Sequence, residues 1–453
     1  METLQATKLY YLMGVLAPST ADAFLVGFYT IYLLRYLTLT EIGLQYAFWL
    51  LILALADFPT GSLADFWGAR NCLLLSYSLM IGGYLGLLLV GSLVTVLLPL
   101  FFAIHFFFAT SAAQESGTLA AWFTNQWKAN HEDMNRIREV YGKFSAYNLL
   151  AKTSAAILGG FFTAYLAVEW VFLGAIAYCS LGALAATQLS TRNIALDTSA
   201  RAYVSQTRQA LAILHQDPRL ILLIAIGSLN YAGWFVVTYL ALQPILYQDL
   251  EAVTIGEKSL LTITLEPLFL LALLGATFSV ANILGYHWGG RIQSVRDISA
   301  ACLLFVPIPC MYLLLFGTQA VASATQGGGR LISPLVITIL GILLITLTTG
   351  LYNPHMKQFY QRLLPDEHRA GILSLRSTAG TATTILFTLM GGAMLQKQGL
   401  IVGFLLAGAF GFAALALLGI VRYLSPEEPP LDIAPRKRRS VITRECGGSI
   451  PTG

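Results

Sequence analysis

The sequence predicts an all-α membrane protein with twelve transmembrane helices arranged in two bundles of six. Of its 453 residues, 56% are hydrophobic and only 11% are charged, whereas a soluble globular protein carries about 25% charged residues. Twelve windows are apolar over about 20 residues, the length that spans a bilayer. The longest polar stretch between two windows lies midway along the chain, at residues 190–218, so it separates six windows from six.

We number the windows as spans 1 to 12. Their predicted ranges are 9–34, 41–63, 71–90, 93–123, 141–166, 168–189, 219–247, 265–287, 298–317, 332–358, 369–395 and 398–423. The two halves show a similar pattern. A segment that starts at Gly117 ends span 4, a segment that starts at Gly350 ends span 10, and each is followed by a polar stretch that contains Arg. Repeats of six helices are typical of secondary transporters. An even number of spans also puts both termini on the same side.

Four segments follow from this pattern. We expect an N-terminal bundle (1–189), a central linker (190–218), a C-terminal bundle (219–423) and a disordered basic tail (424–453). The linker has apolar residues at helical spacing, which predicts either a short amphipathic helix on the membrane surface or a plain connection. The tail combines prolines with a run of basic residues, a composition typical of disorder.

The positions of the basic residues predict the orientation. With both termini inside, only Arg35, Lys258, Arg330 and Lys397 fall on the outside, Lys152 lies within a span, and the rest of the 27 Lys and Arg residues lie inside. The positive-inside rule therefore places both termini in the cytoplasm. The compact segments between spans favour a prokaryotic plasma (inner) membrane.

Other motifs argue for a transporter without a cofactor. The five cysteines are an odd number and form no CxxC pair, so they predict neither a disulfide framework nor a metal site. The sequence has no phosphate-binding loop of the ATPase type and no nucleophile–base pair at recognisable spacing. We therefore expect no enzymatic activity, no metal, no cofactor and no nucleic-acid partner. The first span has no cleavage site and is expected to remain as an anchor.

The stretch between spans 2 and 3 carries a family resemblance. The run from Gly61 to Asp65, followed by Gly68 and Arg70, resembles the loop between the second and third helices of the major facilitator superfamily. The run from Asp57 to Gly61 is similar to the acid-x-Pro-Thr-Gly stretch that precedes this loop in a large bacterial and archaeal group. The chain differs in having Phe66 and Ala69 where the family usually has basic residues.

This resemblance implies the family's fold of two pseudo-symmetric six-helix bundles. It also implies that the two halves alternate in opening a central cavity to each side of the membrane. It assigns gating contacts on the cytoplasmic side to Asp57, Gly61, Asp65, Gly68, Arg70 and, on span 11, Arg376. The alternative for these residues is local helix capping.

Three ionisable residues are predicted to lie deep in the membrane. At a rise of about 1.5 Å per residue, Asp22, Glu115 and Lys152 come near the midplane of a core about 30 Å thick. Ionisable groups there are costly and indicate function. Two acids and one base leave one carboxyl able to bind a proton or a cationic substrate, and the alternative is a static ion pair that fixes spans 1, 4 and 5.

The remaining site candidates are uncharged. The resemblance implies that spans 1 and 4, with part of span 5, line the first half of the cavity and that spans 7 and 10 face it from the second half. The candidates beside the ionisable three are Asn148, Asn230, Tyr231, Trp234 and Asn353, with His105, Gln243, Asn282 and Tyr352 also considered. A lining of aromatic and amide groups suits an amphipathic organic molecule better than an anion, which requires Arg residues.

The sequence therefore predicts a secondary active transporter for a small amphipathic solute, with proton-coupled efflux as the leading hypothesis. A sugar or metabolite uptake carrier, or a facilitator, is the alternative within this class. A receptor or partner protein without transport activity is the alternative outside it. Beyond the solute, the expected partners are protons and membrane lipids, and the chain is expected to act as a monomer.

Overall fold

A computed structural model gives the fold of the chain. It describes residues 4–91, 93, 98–115, 118–129, 134–189, 212, 214–256, 266–291, 298–324, 332–363 and 369–424. Most of the predicted linker and nearly all of the predicted tail therefore lie outside the described residues. Within the described residues, the structure is helical and contains no strand.

The helices follow the predicted spans closely, and we number them in chain order. They are α1 (Leu4–Val26), α2 (Tyr29–Leu33), α3 (Leu39–Trp67), α4 (Ala69–Val90), α5 (Leu98–Glu115), α6 (Thr118–Ala129), α7 (Met134–Tyr165), α8 (Val168–Thr187), α9 (Pro218–Val236), a π-helical turn (Val237–Ala241), α10 (Leu242–Gly256), α11 (Pro267–Arg291), α12 (Ile298–Phe305), α13 (Pro307–Ala324), α14 (Ile332–Leu363), α15 (Arg369–Gln398) and α16 (Val402–Leu424).

Ten helical segments among the described residues are long and apolar enough to cross a membrane. Spans 4 and 5 are not among those ten, although α5, α6 and α7 make most of their described residues helical. Spans 1 and 9 are each divided into two helices, and span 7 carries the π-helical turn in its middle. The sequence predicted these three spans but gave no indication of the interruptions within them.

The stretch that the sequence predicted as a loop between spans 2 and 3 is mostly helical. Helix α3 continues through Asp57 to Trp67, and α4 begins at Ala69. Only Gly68 leaves the helix, with φ of 81°, a conformation that glycine adopts without steric cost. The prediction of a loop over this stretch was therefore wrong, because single Gly and Ser residues are tolerated inside a long membrane helix.

The two ends of the bundle can be told apart by chain direction. We call the end at which α1 begins the near face and the opposite end the far face. Successive spans alternate in direction, so α3 begins and α15 ends at the far face. The contact between Lys8 and the Trp127 ring, 5.2 Å from its centroid, lies at the near face.

Among the described residues, the N-terminal and C-terminal halves make their most extensive contacts through two helix pairs, α3 with α15 and α7 with α11. The first pair meets through glycines near the far face. A methyl group on Gly43 would lie 2.8 Å from the Thr388 carbonyl oxygen, and one on Gly392 would lie 2.7 Å from the Leu39 carbonyl oxygen. Small residues allow this close backbone approach in membranes.

Helix α9, which opens the second half, begins at a well-defined cap. The Asp217 carboxylate accepts a hydrogen bond from the Arg219 backbone N–H at 3.0 Å and forms a 2.8 Å ion pair with its side chain. Pro218 occupies the first helical position, where its missing N–H costs nothing. The hydrogen bonds from Arg219 hold the pKa of Asp217 below its usual value of 3.8. Asp217 and Pro218 thus define the start of the first helix of the second half.

Candidate functional site

A cavity of about 420 Å³ lies in the centre of the bundle between the two halves. Helices α1, α3, α4 and α5 form one wall, and the span that contains α9 and α10 forms the other together with α11, α13 and α14. Aromatic rings make up much of the lining: Tyr29, Tyr46, Trp49, Tyr84, Phe108, Trp234, Phe235, Tyr239, Phe278 and Tyr312. The size falls within the range of pockets that bind small organic molecules.

Asp22 is the carboxylate that faces this cavity. It lies on α1, one helical turn before that helix ends at Val26, and its side chain is exposed to the cavity. The Tyr84 hydroxyl donates a hydrogen bond to Asp22 Oδ1 at 2.9 Å. Within the described part of the chain, Oδ2 has no hydrogen-bond partner. The sequence predicted the position of Asp22 near the middle of the membrane, but not its tyrosine partner.

Glu115 and Lys152 lie close to Asp22 without pairing with it. Their charges interact with that of Asp22, yet no ion pair within 4 Å joins any two of these three described residues. Glu115 ends α5 one turn beyond Ala112, which lines the cavity. Lys152 is exposed on α7, and Asn148 lies one turn before it, where its buried Oδ1 has no partner among the described residues. Among the described residues, the structure shows no ion pair that would fix spans 1, 4 and 5 through these three side chains.

His105 forms a buried hydrogen-bonded pair beside the cavity. Its Nδ1 lies 2.9 Å from the Phe101 carbonyl oxygen, which can only accept, so Nδ1 carries a proton. Its Nε2 lies 3.3 Å from the Tyr29 hydroxyl. In the neutral ring, the hydroxyl therefore donates to Nε2. Both ring nitrogens are therefore hydrogen-bonded within the protein.

Gln243 bridges the break in the first span. Helix α1 ends at Val26 and α2 begins at Tyr29, so the Val26 carbonyl and the Thr30 N–H need partners outside their own helices. Gln243 Nε2 donates to the Val26 oxygen at 2.8 Å, and Gln243 Oε1 accepts from the Thr30 N–H at 3.0 Å. The Thr30 hydroxyl also donates to the Tyr239 carbonyl oxygen at 2.6 Å. One side chain of the second half thus completes the backbone hydrogen bonding of the first.

A second glutamine makes a similar contact at the far face. Gln396 Oε1 accepts a 3.0 Å hydrogen bond from the Leu39 N–H at the start of α3. At the same face, the Tyr165 hydroxyl at the end of α7 accepts from the Glu266 N–H at 3.3 Å. These contacts join the halves on the same side as the glycine contact between α3 and α15. Direct contacts therefore join the two halves at the far face.

The uncharged candidates of the second half divide into two groups. Trp234 and Asn282 line the cavity. Tyr231 does not, but it stacks on Trp234 with ring centroids 5.8 Å apart. Asn353 lies further toward the near face, where it donates a 3.1 Å hydrogen bond to the Tyr286 hydroxyl. Asn230 is half-buried on α9 and is not part of the lining.

The predicted gating residues lie toward the near face. The side chains of Asp57, Gly61 and Asp65 are outside the described residues, although their backbone is helical. Gly68 forms the turn before α4, and Arg70 lies in the first turn of that helix. Arg376 lies on α15, with its guanidinium nitrogens 3.5 Å from where a Cβ on Gly227 would be.

Sequence reasoning missed most of the aromatic lining of the first half. Tyr29, Tyr46, Trp49 and Tyr84 all face the cavity. Aromatic residues make up 12% of the chain, and most of them are expected in the core or against lipid. The one available signal was spacing, because Tyr46 and Trp49 lie three residues apart on one face of α3.

Two bundles of membrane-length helices around a central cavity define a polytopic membrane protein. The chain matches the sequence profile of the Major Facilitator Superfamily over residues 11–362. It belongs to that superfamily and is a multi-pass integral membrane transporter. A comparison with curated protein sequences gives no significant match.

Solved structures of transporters share this fold at low identity. A mutant of the nucleoside transporter NupG superposes with a TM-score of 0.72 at 11% identity, covering 92% of this chain and 99% of that chain. A POT family transporter in complex with 5-aminolevulinic acid gives 0.68 at 13% identity, covering 93% and 96%. A D-xylose-proton symporter gives 0.63 at 13% identity, covering 92% and 96%. At such identities the likeness shows the fold alone.

Proposed function

We propose that this protein is a secondary active transporter that moves a small amphipathic organic solute by alternating access, in the mode of proton-coupled efflux. The observation that carries the proposal is the central cavity, which lies between the halves, has a largely aromatic wall and contains one carboxylate. Apolar walls with a few polar groups are typical of sites for small organic molecules.

The cross-half contacts support alternating access. The glycine contact of α3 with α15 and the two glutamine bridges join separate helices. They can therefore separate as rigid units without any helix unfolding. With the orientation predicted from the basic residues, the near face is cytoplasmic and this conformation is closed toward the outside. The predicted bundles, 1–189 and 219–423, are the units that would move.

The acids near the cavity support proton coupling. Asp22 and Glu115 outnumber the single nearby base Lys152, and no ion pair neutralises either acid among the described residues. A carboxyl that is exposed to water in one conformation and desolvated in the other binds and releases a proton as the conformation changes. The near-face gate would then involve Asp57, Asp65 and Arg376, the residues that the family resemblance assigns to it.

A flux experiment in proteoliposomes tests the proposal. Uptake and efflux of amphipathic solutes are measured with an imposed pH gradient for the wild type, Asp22→Asn and Glu115→Gln. Glu169→Gln serves as the matched control, because Glu169 is an exposed acid at the start of α8. We expect gradient-driven flux in the wild type and the control, and its loss in at least one of the other two variants. Flux that ignores the gradient and persists in all variants contradicts proton coupling.

A carrier for polar metabolites is the second candidate function. Asn282 lines the cavity, and its Oδ1 is buried with no hydrogen-bond partner among the described residues. An acceptor in that position suits a hydroxyl or amino group of a solute. Flux measurements in the same proteoliposomes distinguish the two candidate functions. A metabolite carrier is expected to transport sugars or nucleosides and not the amphipathic solutes.

A further inference from the structure

We propose that the cavity selects an organic cation, specifically a protonated amine attached to an apolar body, and that Asp22 binds its charged group. This inference rests on the proposed transport function and names the chemical class of its solute. It depends on the charge balance of the cavity, on its aromatic rings and on two acceptor oxygens that have no partner.

The charge balance favours a cation. Among the described residues that line the cavity, Asp22 is the only Asp, Glu, Lys or Arg. His105 adds no positive charge in the neutral form that its hydrogen bonds with Phe101 and Tyr29 fit. Lys152 is exposed on α7, makes no ion pair within 4 Å with Asp22 and does not line the cavity. A carboxylate within a membrane span that makes no ion pair favours a cation or a proton as its partner.

The rings beside Asp22 suit the apolar body and the charge of the same solute. Tyr84 holds the carboxylate through its hydroxyl. Tyr46 and Tyr239 lie with ring centroids 5.4 Å apart, and Trp234 meets Tyr239 edge to face at 5.9 Å. Electron-rich faces of Trp and Tyr attract cations, and this attraction strengthens where water is excluded. An anionic solute would meet these faces and the carboxylate with repulsion.

Two acceptor oxygens favour an amine that still carries N–H groups. Asp22 Oδ2 has no hydrogen-bond partner in the described structure, and Asn282 Oδ1 is buried without one. Asp22 belongs to the first half and Asn282 to the second, and both line the cavity. An ammonium group offers up to three donors and no acceptor. It can therefore donate a hydrogen bond to either oxygen, whereas a quaternary ammonium can donate to neither.

The test compares three probes with the same phenylbutyl body: 4-phenylbutylamine, which is a cation at neutral pH, 4-phenyl-1-butanol, which is neutral, and 4-phenylbutyrate, which is an anion. Binding to the full-length purified protein is measured by calorimetry and by the fluorescence of the cavity tryptophans. We expect the amine to bind at least about tenfold more tightly than the alcohol, as one charge-assisted hydrogen bond provides. We expect the anion to bind most weakly.

Substitutions then assign the preference to Asp22. The ratio between amine and alcohol affinities should fall to about one in Asp22→Asn and persist in Asp22→Glu and in the surface control Glu169→Gln. Equal or tighter binding of the alcohol or the anion by the wild type overturns the inference, even if a variant fails to fold. A persistent amine preference in folded Asp22→Asn also overturns it.

Flux of the same probes separates this inference from the proposed function. Amine-selective binding without flux of any probe supports the cation site and contradicts transport. Flux of the alcohol or the anion in preference to the amine supports transport and overturns the cation site. Preferential flux of the amine, lost in Asp22→Asn, supports both.

Discussion

The Gln243 bridge is expected to hold the far face closed. The test substitution is Gln243→Met, because methionine has a similar length and removes both hydrogen bonds to Val26 and Thr30. In the far-closed conformation, these two backbone groups lose their partner inside the protein. In a far-open conformation, they are exposed to water and need no such partner. The substitution should therefore destabilise only the closed conformation.

The size of the effect follows from the two hydrogen bonds. Each contributes about 0.5–1.5 kcal/mol net, so the pair contributes about 1–3 kcal/mol to closure. That range corresponds to a change of about 5- to 150-fold in the ratio of closed to open conformations. Gln396→Met removes only the bond to Leu39 N–H, so its effect should be about half as large in free energy.

Distances between spin labels on the two halves report this equilibrium. Arg35 and Lys397 are both exposed at the far face, one in each half, and are labelled after substitution by cysteine in a chain that lacks its native cysteines. We expect Gln243→Met to increase the population with the longer distance, and Gln396→Met to do so less. Gln398→Met is the matched control, because Gln398 is exposed at the end of α15. An unchanged distribution in Gln243→Met refutes the reasoning.

Three further predictions follow from the packing. Gly392→Val should also open the far face, because its Cβ would come 2.7 Å from the Leu39 carbonyl oxygen, and labelling at far-face cysteines measures this; unchanged labelling contradicts it. Gln319→Leu should lower the free energy of unfolding by about 1–3 kcal/mol, since buried Gln319 donates to Asp249 at 2.9 Å; thermal unfolding in detergent tests it, and an unchanged midpoint refutes it. Asp217→Asn should cost stability only above about pH 4, because the wild-type carboxylate has a lowered pKa in the folded state and its contribution is lost as the pH falls through that pKa. An equal difference at all pH values contradicts this.

The fold was predictable because bilayer physics leaves a strong sequence signal. A spanning helix must be about 20 residues long and apolar, so the spans and the family were both accessible from the sequence, and the profile match confirms the family. The breaks were not predictable. The break after Val26 depends on Gln243, more than 200 residues away, whose amide replaces the missing helical partners.

Of the cavity residues, the sequence singled out most clearly the one whose side chain is energetically costly to place in a membrane. Asp22 stood out because a carboxylate within a span is rare, and the structure places it on the cavity. Tyr46 and Tyr84 did not stand out, since aromatic residues are common in this chain. Which of them face the cavity is set by the rotation of α3 and α4, and that rotation follows from tertiary packing. The loop was wrongly predicted to begin before Gly68, because composition alone does not distinguish a turn from a glycine-containing helix.

The proposed cation site and the proposed closure of the far face are linked through the last turn of α1. Asp22 lies one helical turn before Val26, whose carbonyl accepts from Gln243, and Gln243 itself lines the cavity. A cation held by Asp22 and Asn282 contacts both halves and should therefore favour the far-closed conformation. If only a fraction of the protein is in the conformation that binds, the apparent affinity equals the intrinsic affinity multiplied by that fraction.

Gln243→Met should thus weaken binding of 4-phenylbutylamine, and the amine should restore short distances between the labels at positions 35 and 397. If Gln243→Met opens the far face while amine affinity stays at the wild-type value, the cation does not depend on closure and the two sites are independent.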